Sequence, residues 1–239
     1  TNPISLDAIR EFQVVVAPYD VRQGGFTGGG INAVTRAGTN KYGGSIYGFG
    51  RNEKFMGKLD GRPDIAEFSD YQYGFRAGGP IMQDKLFFFV NGEITTNDRP
   101  VRNLSLLDGF GGKTGAQLIS DKVLPYANEL KAKGMNAGSY EEFIREQPST
   151  KLFLRFDYNL SQEHQLTLRH NFVDAYVDNM NGRSGSNQMS FDTYNYRIRN
   201  KTNSTVLQLN SRLGNSMSNE LIVGFTSIRD RRSGTAAAS

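Results

Sequence analysis

The chain has 239 residues, a net charge of +4, 37 % hydrophobic residues and no cysteine, with a mean hydropathy of −0.51. Disulfides and thiolate metal sites are excluded, as is a bilayer-crossing helix, because the longest wholly apolar run is Leu86 to Val90 where ~20 residues are needed. A β-barrel strand needs only ~9–11 residues with one apolar face, so low hydropathy leaves a barrel open, while the mild charge lacks the concentrated basic stripe of a nucleic-acid binder.

The opening Thr1-Asn2-Pro3 has neither the basic nor the apolar region of a signal peptide. Either such a peptide is removed or the chain is an internal piece. Phe12 to Ala17 (F-Q-V-V-V-A) predicts a short buried strand. Pro18-Tyr19-Asp20, the glycine-dense Gly24 to Gly30, Ile31 to Arg36 and a break at Ala37 to Asn40 follow. Gly28-x-Gly30-x-x-Ala33 formally fits a degenerate dinucleotide fingerprint, but Thr35, Gly38 and Thr39 occupy the place of the helix that would face a pyrophosphate.

From Tyr42 onward, seven stretches alternate apolar and polar residues. Tyr71, Tyr73, Phe75 and Ala77 alternate with Gln72, Gly74, Arg76 and Gly78. Leu152, Leu154, Phe156, Tyr158 and Leu160 oppose Lys151, Phe153, Arg155, Asp157 and Asn159. Leu166, Leu168, His170 and Phe172 continue the theme, then Thr205, Leu207, Leu209 and Leu213, then Leu221, Val223 and Phe225. Period two predicts half-buried strands, a pattern shared by soluble antiparallel sheets. Two features favour lipid. The stretches reach ten or more residues, above the ~5–6 usual in soluble sheets. Aromatic residues such as Tyr42, Tyr47, Phe49, Tyr71, Tyr176 and Tyr194 gather toward the strand ends, as interfacial girdles do.

The connections alternate in length. Ile81 to Lys85, Ser161 to Gln165 and Gly214 to Ser218 are tight; Glu53 to Ser69, Asn97 to Ser149 and Asp178 to Asn195 are long. Short periplasmic turns with long external loops are the pattern of an outer-membrane barrel. Within the longest loop, Ile119, Val123, Tyr126, Ala127 and Leu130 fall at helical spacing, Pro125 predicts a kink or two short helices, and Gly134 a stop. Ser139-Tyr140-Glu141-Glu142 predicts a capping box opening another short helix that ends by Pro148. Gly111-Gly112-Lys113-Thr114 is not a phosphate loop, since position 107 is Leu where that motif needs Gly.

Ile9 through Arg36, with A-P-Y-D-V-R-Q-G-G-F-T-G-G-G-I-N-A-V-T-R at its heart, resembles the end of the plug domain of TonB-dependent outer-membrane receptors, closest to their Oar-like branch. Ala17-Pro18, Arg22-Gln23-Gly24, Gly29-Gly30-Ile31-Asn32 and Thr35-Arg36 occupy the places of that family's plug motif. Gly43-Gly44-Ser45, Arg51-Asn52, Gly78 to Ile81, Lys85 to Asn91 and Lys201 to Ser204 resemble its barrel segments. The resemblance implies an all-β fold in the bacterial outer membrane. Residues 1–40 would be the C-terminal end of a plug, and 41–239 the N-terminal part of a transmembrane antiparallel barrel of about seven strands, with short helices in a long external loop. It also implies TonB-dependent active uptake of a ligand, whose class it leaves open. The partners implied are membrane lipid and lipopolysaccharide, a TonB-type energising protein acting through segments outside this chain, and the rest of the receptor or neighbouring chains. Arg10-Glu11 reverses the family's Glu-Arg, and Gln13 and Val16 replace its later charges. Arg10, Glu11 and Arg22 remain the candidates for a plug–barrel contact.

Seven strands would end the chain outside the cell near Arg229 to Arg232, whereas single-chain bacterial barrels have an even count. An internal portion of a larger receptor is therefore expected, its barrel closing at about 22 strands around a plugged lumen. Arg76, Arg155, Asp157 and Arg169 are expected to line that lumen. With two histidines, His164 in a turn and His170 on a strand, no catalytic or metal-binding constellation is legible, so neither an enzyme nor a cofactor is expected. A surface adhesion protein using the barrel as a platform for its loops is the alternative function, and a soluble all-β binding domain a third.

Overall fold

The structure is a computed structural model that describes residues 3–16, 29–56, 67–101, 103, 109–180 and 188–234. Two antiparallel assemblies are present. Strands β1 (Ile9–Val16) and β2 (Gly29–Thr35) pair as a two-stranded ribbon. The second is a meander in which β3 (Gly43–Asn52), β4 (Ser69–Met82), β5 (Leu86–Val101), β7 (Ser149–Asn159), β8 (His164–Asn179), β9 (Tyr196–Leu213) and β10 (Met217–Gly234) are neighbours in chain order. A short strand, β6 (Phe143–Glu146), adds to the far end of β5. The meander strands run from 10 to 18 residues.

The tight turns are set by local chemistry. Asp84 adopts a positive φ of 58° and Gly214 one of 69°, conformations that Asp tolerates and glycine adopts freely. Asn40 clips the first turn, accepting from the Asp84 backbone N at 2.8 Å.

Register assigns every strand residue to one of two faces, because successive side chains alternate. One face carries Ile46, Tyr73, Phe75, Phe88, Val90, Leu152, Leu154, Phe156, Leu168, Leu207, Leu221, Val223 and Phe225. The other carries Tyr47, Gln72, Arg76, Asn91, Glu93, Lys151, Arg155, Asp157, Thr167 and Arg169, and it is this polar face that the amino-terminal segment touches, through Ser5 ahead of the ribbon and Thr35 at its end. The partition is inverted relative to a water-soluble domain. Ile46 is 89 % exposed and Phe225 70 %, while Glu93 is 4 % and Asp157 3 % exposed. An apolar outer face around a polar interior is how a sheet crosses lipid. On the apolar face, the Tyr71 ring lies over Gly50, where an added Cβ would stand only 2.8 Å from Cδ1; the aromatic covers a strand glycine that has no side chain to pack.

β3 and β10 form the two sheet edges, each paired on one side only among the described residues. Bare backbone groups in lipid cost several kcal/mol each, so the meander is a partial barrel.

In the longest loop the helical expectation holds: α1 (Gly115–Leu118) opens on a Thr114/Gln117 capping box, a wide turn spans Ile119–Val123, and α2 (Leu124–Ala132) carries Pro125 in its first turn. Gly134, at φ 76°, ends it. No described helix is long and apolar enough to cross a membrane. Two expectations are corrected. The helix after Ser139 is instead β6, because β5 continues to Val101 and offers Asp98–Val101 as a strand edge. The Phe12–Ala17 strand forms as β1 up to Val16, Ala17 lying outside the described residues, but it is not buried: Phe12, Val14 and Val16 are exposed, since the wall is met by residues 4–8 and not by the ribbon's apolar face.

The face assignment has a direct consequence for stability. Leu207→Arg, on the apolar face near mid-wall, should cost the full-length protein about 2–4 kcal/mol. Asn210→Arg, on the polar face opposite Glu220, should change stability by under about 1 kcal/mol, the range of an exposed ion pair. Denaturant unfolding in lipid vesicles compares the two.

Candidate functional site

The site is the seam between the amino-terminal segment and the polar face of the wall. It is organised by one cross-strand row, Tyr47–Gly74–Glu93–Lys151, contributed by β3, β4, β5 and β7. Glycine at 74 leaves room for the Tyr47 ring to cross β4, and any side chain there would overlap it. Glu93 Oε1 accepts from Lys151 Nζ at 2.7 Å; Oε2 accepts from Ser5 Oγ at 2.7 Å, Tyr47 OH at 2.8 Å and Gln72 Nε2 at 2.8 Å. Ser5 is 1 % exposed. Burying a carboxylate is costly unless it is paired and hydrogen-bonded, and four donors meet that demand with one of them from the amino-terminal segment.

The next row repeats the arrangement. Arg76 Nε donates to Ser45 Oγ at 2.9 Å and stands 3.4 Å from Asp7 Oδ2, while Ser45 Oγ donates to the same Asp7 oxygen at 3.3 Å. Farther along, Asp157 holds Arg155 by two bonds, from Nε at 2.8 Å and Nη2 at 2.9 Å, and Thr167 Oγ1 donates to Asp157 at 2.8 Å. So oriented, Arg155 Nη1 donates to the Thr35 carbonyl at 3.1 Å and to its Oγ1 at 3.0 Å. Asn171 Nδ2 donates to the Pro3 carbonyl at 2.9 Å. Between these polar fasteners Ala8 is fully buried against Phe89 and Phe153. Arg36 ties the segment to itself through its backbone N on Ala8 O at 2.9 Å and its Nε on Asp7 O at 3.1 Å. Gly38 then lies flat on the wall, with the Phe88 carbonyl where a Cβ would stand.

Of the predicted contact residues, Arg10 is exposed and lines a cavity of about 640 Å³ with Arg36, Lys41, Arg76 and Phe89. Glu11 is exposed and accepts from Gln13 at 3.0 Å. Arg22 lies outside the described residues. Arg76, Arg155, Asp157 and Arg169 all stand on the polar face. Sequence reasoning missed Ser5, Asp7, Thr35 and Glu93. Glu93 was the findable one: the single carboxylate among the inward positions of β5, six residues after the aromatic run Phe87 to Phe89 begins.

At the far end of the wall two loops dock on each other. Asn103 Nδ2 donates to the carbonyls of Tyr140 and Ser190, at 2.7 and 3.2 Å. Tyr126 and Tyr140 place their rings 6.2 and 6.4 Å from that of Phe191. A cavity of about 900 Å³ lies between them, lined by Tyr126, Leu130, Met135, Met189 and Tyr194 among others. On the same loop, the Lys113 ammonium at 2.6 Å holds the Asp121 carboxyl below the usual carboxylate range.

A family model described as an outer membrane beta barrel domain matches residues 34–107. The TonB-dependent transporter Oar of Myxococcus xanthus is 32 % identical over 99 residues, covering 37 % of this chain and 9 % of that protein. The chain is an outer-membrane β-barrel protein. Its location is the bacterial outer membrane, and the chain spans under a tenth of the length of the curated relative it matches. No solved structure matches it.

The Glu93 node separates fastening from decoration. Ser5→Ala removes one bond to a charged group, worth about 1.5–3 kcal/mol, and should speed tryptic cleavage at Arg36 and Lys41 about tenfold or more in the folded full-length protein. Glu11→Gln should leave that rate within about twofold, as surface changes shift stability by under ~0.5 kcal/mol. Glu93→Ala leaves Lys151 buried without its partner and should cost about 3–5 kcal/mol, read as a lowered unfolding midpoint.

Proposed function

We propose that this chain is part of an importer that takes up a ligand through a plugged outer-membrane barrel, driven by a TonB-type protein of the inner membrane. Residues 1–40 are read as the end of the plug and 41–239 as the first part of the barrel. The observation that carries the reading is the seam: the amino-terminal segment sits on the inner face through two hydrogen-bonded contacts, Ser5–Glu93 and Thr35–Arg155, and the ion pair Asp7–Arg76, around a small apolar contact. Such a contact holds at rest and yields to a pull. The exposed apolar face of the ribbon, Phe12, Val14, Val16 and Ile31, supports a plug whose remaining part covers it, and the open edges of β3 and β10 support further strands completing the barrel. The partial similarity to Oar fits the same activity. In this reading the chain catalyses no reaction and needs no cofactor; its work is ligand capture and gating.

A surface platform for adhesion is the second reading, favoured by the mutual docking of the two far-end loops through Asn103 and Phe191. The two separate on whether the seam responds to energy. A Thr35→Cys variant of the full-length protein is labelled with a maleimide in cells on complex medium, with and without a protonophore. Importer action should raise labelling at least about threefold in energised cells, a population shift of under ~1 kcal/mol. Equal labelling in both states would leave the platform reading standing and remove the importer.

A further inference from the structure

The long-loop end of the wall holds a cavity in which neither the seam nor the sheet takes part. Its volume of about 900 Å³ is in the range that encloses a small molecule. Three short pieces of chain wall it. Tyr126 and Leu130, four residues apart, share one face of α2. Gly134, at φ 76°, then turns the chain: its N–H donates to the Lys131 carbonyl at 2.9 Å, and that of Met135 to the Leu130 carbonyl at 2.9 Å. This left-handed helix ending makes Met135 to Ala137 the second wall. Met189, Phe191 and Tyr194, from the loop before β9, form the third.

The walls are tied together before any ligand arrives. The Asp192 backbone N donates to the Ser139 carbonyl at 2.8 Å, the Ser139 backbone N to Asp192 Oδ1 at 2.9 Å, and Thr193 Oγ1 to the Ala137 carbonyl at 2.7 Å. A preformed cavity spares a ligand the entropy of ordering the loops.

Its chemistry is narrow. No described lining residue is charged. The charges on the same elements are turned to other uses: Glu129 and Lys133 pair with each other at 2.7 Å, Asp192 holds Ser139, and Lys131 lines a separate cavity. Much of the polar lining is spent within the loops as well. Thr193 is committed to Ala137, Asn136 Oδ1 accepts from the Gly138 backbone N at 2.9 Å, and both backbone groups of Ser190 are bonded to Asn103. Ring faces and thioethers are what chiefly remain to meet a ligand. They lie beyond the apolar band of the outward face, whose last apolar residue on β9 is Leu207, and Tyr126, Met135 and Tyr194 are exposed. Apolar surface left open to water in this way marks a binding site.

We propose that the cavity binds an uncharged, predominantly apolar small molecule carrying a ring, which stacks on Tyr126, Phe191 and Tyr194 and is closed over by the adaptable side chains of Met135 and Met189. An anionic chelate or a phosphorylated ligand would bring a charge with no partner there, and each hydroxyl of a sugar would lose water without an equal bond in return. The inference rests on the mutual docking of the two loops, and both the importer and the platform accommodate it.

The test uses the full-length protein in lipid vesicles, illuminated with benzophenone or with its anionic analogue 4-benzoylbenzoate, and the labelled methionines are located by peptide mass spectrometry. Met56 is the internal control, because it is 49 % exposed, as Met135 is, and does not line the cavity. Benzophenone should label Met135 and Met189 at least tenfold more than Met56, with saturation, and the anionic analogue should label them at least tenfold less. Leu130→Glu, which places a charge in the wall, should lower their labelling at least tenfold and leave that of Met56 unchanged. Labelling of Met135 no greater than that of Met56 would overturn the site, and this arm needs no variant to fold. Equal labelling by the two probes, or protection by maltoheptaose, would overturn the class of ligand. The readout is occupancy and not uptake, so loss of the importer reading leaves it interpretable.

Discussion

A carboxylate held away from water is the constraint around which this wall is organised. Glu93 is 4 % exposed, and an isolated charge so placed would be untenable. Its donors come from four separated places: Lys151 on β7, Tyr47 on β3, Gln72 on β4 and Ser5 from the amino-terminal segment. Satisfying it fixes the register of three strand pairings and seats a segment 88 residues away in sequence. It also fixes what the opposite face must be. With polar groups used inward, the alternating positions outward are Leu, Phe, Val and Tyr, and only lipid is a compatible solvent for so wide an apolar surface.

The two ends of the wall serve different surroundings. The tight-turn end is closed by local devices, Asp84 clipped by Asn40 and Gly214 at positive φ, with little chain beyond the sheet. The other end continues upward: β5 runs on to Val101, takes β6 as partner, and leads into helices whose loop docks on the loop before β9 through Asn103 and Phe191. There the strand surface changes from apolar to charged. Arg197, over the Tyr176 ring at 3.8 Å and bonded to Asp178 and Glu146, joins β8, β9 and β6 just above the band. One sheet thus presents an oily middle, a charged upper rim and an interior that holds the amino-terminal segment.

Much of this was legible in the sequence because period two is a local signal. The faces of Lys151 to Leu160 and of Leu166 to Phe172, the tight turns, and the break of the loop helix at Pro125 follow from neighbouring residues alone. What failed was non-local. Phe143–Glu146 is a strand only because β5 overruns its expected end and offers an edge some 45 residues earlier in the chain; capping residues at Ser139 to Glu142 carry no trace of that edge. The seam was hidden for the same reason. Charged residues attract notice, so Arg10 and Glu11 stood out, whereas, Asp7 apart, the wall is met by small hydroxyls and backbone carbonyls, Ser5, Thr35 and Pro3, which have no local signature. Arg22 lies outside the described residues.

The claim on which the rest depends is that the sheet has lipid on one face and the amino-terminal segment on the other. The most direct test is a nitroxide scan along β9 from Asn203 to Leu213 in the full-length protein, reconstituted in vesicles and probed with oxygen and with a water-soluble nickel chelate. Oxygen accessibility should peak at 205, 207 and 209 and fall at 204, 206 and 208, with the two reagents out of phase. Equal nickel accessibility at odd and even positions would mean water on both faces, and the wall would not be a membrane wall.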